Sequence, residues 1–187
     1  MDAADLVEDP SRPTTRKLRI ITDRHQQVAR VDYELDREIG EGVEHAIEST
    51  LRRAAQRARV IIISDYLKGV VTRTLTATAI ECGKQRGIPV LVDPKIPHID
   101  RYQGATLVTP NHHEAEVATH LQIRTTDEAR AAARAFRERV GCDSVLITRG
   151  SSGMWLLGKY GSVADADKVA AESDGFFETE LDGRAHV

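Results

Sequence analysis

Aromatic side chains are scarce in this chain, at 4% of 187 residues. A core built from it must rest mainly on Val, Ile, Leu and Ala. There are two cysteines, Cys82 and Cys142, far apart and in no Cys-x-x-Cys pair. They read as buried small hydrophobes rather than as a disulfide or a metal site. No apolar run approaches the ~18–20 residues that span a bilayer. The acidic opening Met1–Pro10 lacks the charged-then-apolar order of a secretory signal. The expectation is a cytoplasmic protein with no membrane partner. A formal net charge of −3 gives no pull toward nucleic acid.

Several catalytic signatures are also missing. No Gly-x-x-x-x-Gly-Lys-Ser/Thr occurs, which excludes a P-loop enzyme, and no Gly-x-Gly-x-x-Gly follows a strand. His112, His113 and His120 invite a zinc reading, but Val117 stands where a His-Glu-x-x-His pattern needs its second histidine. Ser64 and Ser151 lack the Gly-x-Ser-x-Gly elbow of hydrolases.

What is present is ordinary for a globular domain: 41% hydrophobic and 29% charged residues, in a length that fits one domain with at most a small appendage. Thr14–Thr22 and Gln27–Asp32 read as two strands joined by a turn at Asp23–His25, a hairpin standing apart from the later pattern. Val43, Ile47, Leu51, Ala54 and Ala58 recur at helical spacing. Val60–Asp65 is a β-branched run without alternation, suited to a strand covered on both faces. A helix over 72–85, a strand Val90–Asp93, a strand Ala105–Thr109, helices over 113–119 and 127–139, a strand Ser144–Thr148 and a strand Met154–Leu157 continue the alternation. Asp127 and Glu128 suit the start of a helix dipole. This pattern predicts an α/β domain around a mostly parallel sheet flanked by helices. After Gly158 the pattern weakens; Ser162–Asp174 is rich in Ala and Asp, and 158–187 reads as a weakly specified tail.

In an open parallel sheet, ligands bind beyond the carboxyl ends of the strands. Four such ends carry polar groups here: Ser64–Gly69, Asp93-Pro94-Lys95, Thr109–Glu114 and Thr148–Gly153. Asp65 and Asp93 are pure acceptors when ionised and suit sugar hydroxyls. Lys68 and Lys95 suit phosphate oxygens as point charges. Asn111 and Glu114, three apart at a helix start, suit the water shell of a magnesium ion. Gly150 and Gly153 permit close backbone approach to a nucleotide. Polar turns follow strands in most proteins, so each piece alone is weak; four together argue for a site.

Taken in order, Thr14-Thr15-Arg16-Lys17, Gln26–Asp32, Ser64–Gly69, Val92–Lys95, Thr109–Glu114 and Thr148-Arg149-Gly150 resemble the carbohydrate kinases of the ribokinase/PfkB family. Within it the likeness is to the heptose-7-phosphate kinase domain of bifunctional enzymes that also carry a heptose-1-phosphate adenylyltransferase. The resemblance implies a ribokinase-like fold over 14–157 with a small β-hairpin lid at about 16–32. It implies ATP and Mg2+ as cofactors and a sugar phosphate as substrate, phosphorylated on a hydroxyl in lipopolysaccharide heptose synthesis. By the same resemblance Asn111, His112, His113 and Glu114 form the nucleotide and magnesium motif, and Thr148, Gly150 and Gly153 the loop near the nucleotide. Arg16 belongs to the lid over the sugar, and Asp93 and Lys95 face the reacting phosphates.

The chain departs from the family in what it omits. A Gly-rich sugar-binding region does not precede Thr14, and no Gly-Ala-Gly-Asp, whose Asp is the family's base, occurs. Asp182–Val187 resembles the strand leading into that motif, and no His-x-Gly-His of a nucleotidyltransferase occurs. The expectation is a kinase domain incomplete at both ends and inactive alone. The alternatives are another PfkB-type sugar kinase, or a non-catalytic nucleotide- or sugar-binding module or remnant. An unpaired sheet edge would offer itself to a second copy.

Overall fold

The computed structural model describes residues 5–159 and 176–181. Its first element pair is the expected hairpin. β1 (Arg16–Ile21) and β2 (Gln27–Tyr33) are antiparallel, with Leu18 opposite Val31 and Ile20 opposite Ala29. His25 takes a positive φ of 60° in the turn. Almost every residue of the hairpin is exposed, so it projects from the body as a two-stranded ribbon with one apolar face.

The body is one six-stranded sheet in the order β3-β4-β5-β6-β7-β8. β3 (Ile61–Ser64), β4 (Val90–Asp93), β5 (Leu107–Val108) and β6 (Ser144–Thr148) run parallel; β7 (Met154–Lys159) and β8 (Phe176–Leu181) complete it antiparallel. The composition after Gly158 suggested no strand, and β8 is a strand that periodicity does not reveal. Positions 160–175 and 182–187, including Asp182–Val187 read as a strand, lie outside the described residues.

Four α-helices are described: α1 (Glu41–Ala55), α2 (Arg73–Arg86), α3 (His112–Thr119) and α4 (Thr126–Val140). Their ends follow local chemistry. Thr72 caps α2 by accepting from Leu75 N at 3.2 Å, and Gly87 ends it in the left-handed region at φ 63°. Thr125 and Glu128 form a capping box at α4. A 3₁₀ helix, Ile96–Arg101, follows Pro94 with Pro97 in its first turn; the sequence pattern assigns no element there.

The core needs few aromatics because the backbones come close. Ala105, Ala115, Ala129, Ala132 and Ala133 are fully buried beside Val92, Val108, Val145 and Ile147. Each large aliphatic side chain so buried contributes roughly 1.5–3 kcal/mol. At Gly83 of α2 an added Cβ would lie 2.3 Å from Val90 Cγ2, so the helix sits on β4 at a distance that excludes any side chain. Tyr102, Phe136 and Trp155 are the buried aromatics among the described residues. No described helix is long and apolar enough to cross a membrane.

β3 has a strand neighbour on one side only among the described residues. Ile62 there is 68% exposed, beside an apolar groove of about 210 Å³ lined by Ile47, Leu51, Ile61, Leu75 and Ala79. An edge of this kind recruits other strands. We expect concentration-dependent self-association in light scattering, reduced by Ile62→Lys; a monodisperse parent chain would refute it.

Acid should also weaken the fold. Backbone N–H groups of Ile123 and of Arg124 and Thr125 hold the carboxyls of Glu116 and Glu128 below their ordinary value of 4.5. A depressed folded-state value means stability that is present above about 4.5 and lost as pH falls through the lower folded values. Urea midpoints should drop below pH ~4.5, with a shallower drop in Glu128→Gln.

Candidate active site

The parallel strands β3 to β6 all end on one side of the body. Asp65 N donates to Asp93 O at 3.1 Å, tying the end of β3 to β4. Thr109 N donates to Val92 O at 2.9 Å, tying β4 to β5. Thr148 N donates to Pro110 O at 3.0 Å, and Asn111 and Thr148 form a parallel bridge, tying β5 to β6. Asp93, Lys95, Asn111, Glu114 and Thr148 are thereby brought along one rim.

Asn111 opens α3 as its N-cap. Its Oδ1 accepts from Glu114 N at 2.9 Å, and Glu114 Oε2 accepts from Asn111 N at 3.0 Å, a reciprocal capping box. Glu114 Oε1 accepts from Lys95 Nζ. The hydrogen bond to Glu114, more than any other contact, holds the Lys95 ammonium above its ordinary value. Glu114 therefore has both oxygens engaged. The donor set is of hard oxygens, as magnesium prefers, and the commitment of both groups to the helix cap fits an ion held through its water rather than by direct ligation. No cluster of three or more His, Cys, Asp or Glu suited to a metal occurs among the described residues. The rings of His112 and His113 lie with centroids 4.0 Å apart and planes tilted by 37°, and His113 lies 3.4 Å from Glu116 and is largely exposed.

The glycine loop after β6 folds as a 3₁₀ turn, Gly150–Ser152, closed by Arg149 N donating to Gly153 O at 2.8 Å. Gly150 at φ 58° and Gly153 at φ 81° are in the region that favours glycine.

Asp65 is turned inward, not toward the rim, with 1% of its surface exposed. Its Oδ1 accepts from Leu67 N at 2.8 Å. Its Oδ2 accepts from the Tyr102 hydroxyl at 2.8 Å and lies 2.6 Å from His98 Nδ1. A carboxylate acceptor requires the proton on that nitrogen. Burial pushes the Tyr102 phenol well above its ordinary value, so the hydroxyl keeps its proton and donates. The Tyr102 oxygen in turn accepts from Lys95 N at 3.1 Å.

Lys68 lies at the root of the hairpin, where its Nζ donates to Glu34. Arg12 fastens the same root, donating to Lys68 O and Arg37 O at 2.8 Å each. Ile39 N donates to Gly69 O at 2.9 Å. At Gly69, φ 75°, an added Cβ would lie 1.8 Å from Arg37 O. The loop Asp65–Gly69 thus anchors the hairpin. Arg16 sits out on the hairpin with its guanidinium 4.5 Å from the Tyr33 ring centroid. Arg12, Glu34, His98 and Tyr102 carry no sequence signal for these roles, because each has a partner 33 to 56 residues away: Lys68 for Arg12 and Glu34, and Asp65 for His98 and Tyr102.

Comparison with known proteins gives one family. The model of the pfkB family of carbohydrate kinases matches residues 2–170. The bifunctional protein HldE of Geobacter sulfurreducens is 41% identical over 172 residues, 92% of this chain and 35% of the relative. HldE of Azorhizobium caulinodans is 40% identical over 169 residues, covering 90% and 35%. The chain spans about a third of the length of these relatives. Among solved structures, phosphofructokinase-2 from Escherichia coli in complex with potassium aligns with a TM-score of 0.56 at 16% identity, over 71% of this chain and 44% of that one. Arabidopsis thaliana ribokinase complexed with ribose and ATP aligns at 0.53 and 15% identity, over 78% and 45%. These likenesses show the ribokinase-like fold, with its separate hairpin.

Removing the cap tests the local geometry. Asn111→Ala leaves the Glu114 N–H without its acceptor, and should cost about 1 kcal/mol of stability, read in denaturant unfolding; Asn111→Asp should restore most of it.

Proposed function

The chain belongs to the pfkB family of carbohydrate kinases, and from that we propose that it is the nucleotide-side portion of an ATP-dependent kinase for heptose 7-phosphate, making the 1,7-bisphosphate. The observation that carries this reading is the rim on which Lys95, Asn111, Glu114 and Thr148 meet beyond four parallel strands. The heptose assignment is supported by the motif order and by HldE relatives near 40% identity.

Phosphoryl transfer is mostly positioning and electrostatic stabilisation. Lys95 meets phosphate oxygens as a point charge from its place beside Glu114. Asn111 and Glu114 would hold a magnesium ion through its water, and His112 and His113 border the same motif. Magnesium, when bound, offsets charge between the phosphates. Thr148, Gly150 and Gly153 offer a hydroxyl and close backbone to the nucleotide. Asp93 stands exposed at the strand end, accepting a 3.3 Å bond from Ser64 Oγ, in position for a sugar or phosphate group. Arg16 and the hairpin cover the sugar side; Lys68 joins them at the root by its bond to Glu34, and Asp65 acts from beneath the rim. The setting proposed is the cytoplasm, where ATP is supplied, and the β3 edge is the proposed seat of a homodimer.

The 187 residues hold no Gly-Ala-Gly-Asp, so neither the family's base nor its anion-binding amides are among them. General-base catalysis alone is worth ~10²–10⁴ in rate. We expect magnesium–ATP binding in calorimetry and negligible ADP release with heptose 7-phosphate. Sugar-dependent ADP release well above background would overturn the predicted inactivity, and absence of nucleotide binding would overturn the kinase-site reading.

A further inference from the structure

A buried carboxylate lies at the junction of the two functional parts of this molecule. Asp65 Oδ1 holds the loop that roots the hairpin, through Leu67 N at 2.8 Å. Asp65 Oδ2 holds the loop that carries Lys95, through the Tyr102 hydroxyl at 2.8 Å and His98 Nδ1 at 2.6 Å. Tyr102 is fully buried, and its oxygen is the acceptor for Lys95 N at 3.1 Å. From Lys95 the chain of contacts continues through its ammonium to Glu114 and on to Asn111 N. Every noncovalent link from Asp65 to the Asn111 cap is a hydrogen bond, and the innermost members, Asp65 and Tyr102, are closed to water.

We propose that Asp65 is a positioning residue: acting through Tyr102, it fixes the backbone of Lys95 and so holds the Lys95–Glu114 pair on the rim where the nucleotide phosphates bind. The role rests on the phosphate-side reading of Lys95. It differs from direct ligand contact by Asp65, because the groups that its carboxylate meets are protein donors and its surface is closed. The physical reason for a carboxylate is that a single oxygen, Oδ2, must accept from two donors at once, which an ionised acceptor does best. An amide nitrogen in that place would face two donors.

The test uses the whole chain and three variants. Tyr102→Phe keeps the ring and removes the oxygen that Lys95 N–H and Asp65 share. Asp65→Asn keeps an oxygen for Leu67 N and loses the acceptor facing Tyr102. Val140→Ala is the control for general destabilisation. It removes core volume at the end of α4, where Gly141 O accepts from Gly104 N ahead of β5, at the opposite end of the parallel strands from the rim. Amide hydrogen exchange by NMR should be on the order of tenfold faster at Lys95 in Tyr102→Phe, the size expected for one lost buried hydrogen bond. Exchange at Asn111 should quicken with it, and magnesium–ATP should bind several-fold more weakly. Asp65→Asn should reproduce these changes while leaving the Ile39 amide, bonded to Gly69 O, as it was. Val140→Ala should change neither the two rim amides nor the affinity. Faster exchange confined to Lys95, with Asn111 and affinity unmoved, overturns the positioning role, as does the full set of changes appearing in Val140→Ala. A parent chain that binds no magnesium–ATP overturns the phosphate-side reading and this role with it. A parent that binds, with a Tyr102→Phe chain that binds equally well, overturns the positioning role alone.

Discussion

A carboxylate with 1% of its surface exposed has lost its water, and it stays in place only where protein donors replace that water. Asp65 has three: Leu67 N, the Tyr102 hydroxyl and His98 Nδ1. Those donors belong to two different loops, one after β3 and one after β4. Satisfying a single buried group therefore fixes the relative position of both. The hairpin root hangs from the first loop by way of Arg12, Gly69 and Lys68, and the rim hangs from the second by way of Lys95 and Glu114.

The sheet supplies the frame in which that junction can exist. Parallel strands deliver their carboxyl ends to one side, and each end here is stitched to the next by a backbone bond beyond the regular ladder. Small residues make the frame thin. Gly83 and the fully buried alanines let helices approach the strands closely, so close packing by backbone and methyl groups does the work that large aromatic side chains do elsewhere. Family membership and the fold agree with this frame, and the solved kinases that align with it do so at identities of 15–16%, where the architecture is kept and little else.

Much of this was legible from residue order. The hairpin, the alternation of strand and helix, and the strand ends were readable because each is written in local period: β-branched runs for the strands and apolar steps of three and four for the helices. The gathering of Asp93, Lys95, Asn111 and Glu114 also followed, since in a parallel sheet those ends have one place to go. Less legible was the 3₁₀ helix Ile96–Arg101, which holds the buried Ile99 and ends at Tyr102, and β8, whose partner β7 supplies the ladder that its own composition does not announce.

The motif Ser64–Gly69 marks the boundary between the two kinds of information. Its sequence said that polar groups succeed a strand. It did not say which of them point inward. Asp65 and Lys68 are three residues apart, yet one is buried under the rim and the other meets Glu34 at the hairpin root. Sequence by itself determined most of the elements, their order and the side of the sheet on which the chemistry lies, because those depend on interactions between near neighbours. Tertiary structure alone decided which side chains the side chains of Asp65, Lys68 and Lys95 meet, because those bonds join residues 19 to 37 positions apart, and a contact at that range exists only once the sheet has closed the distance.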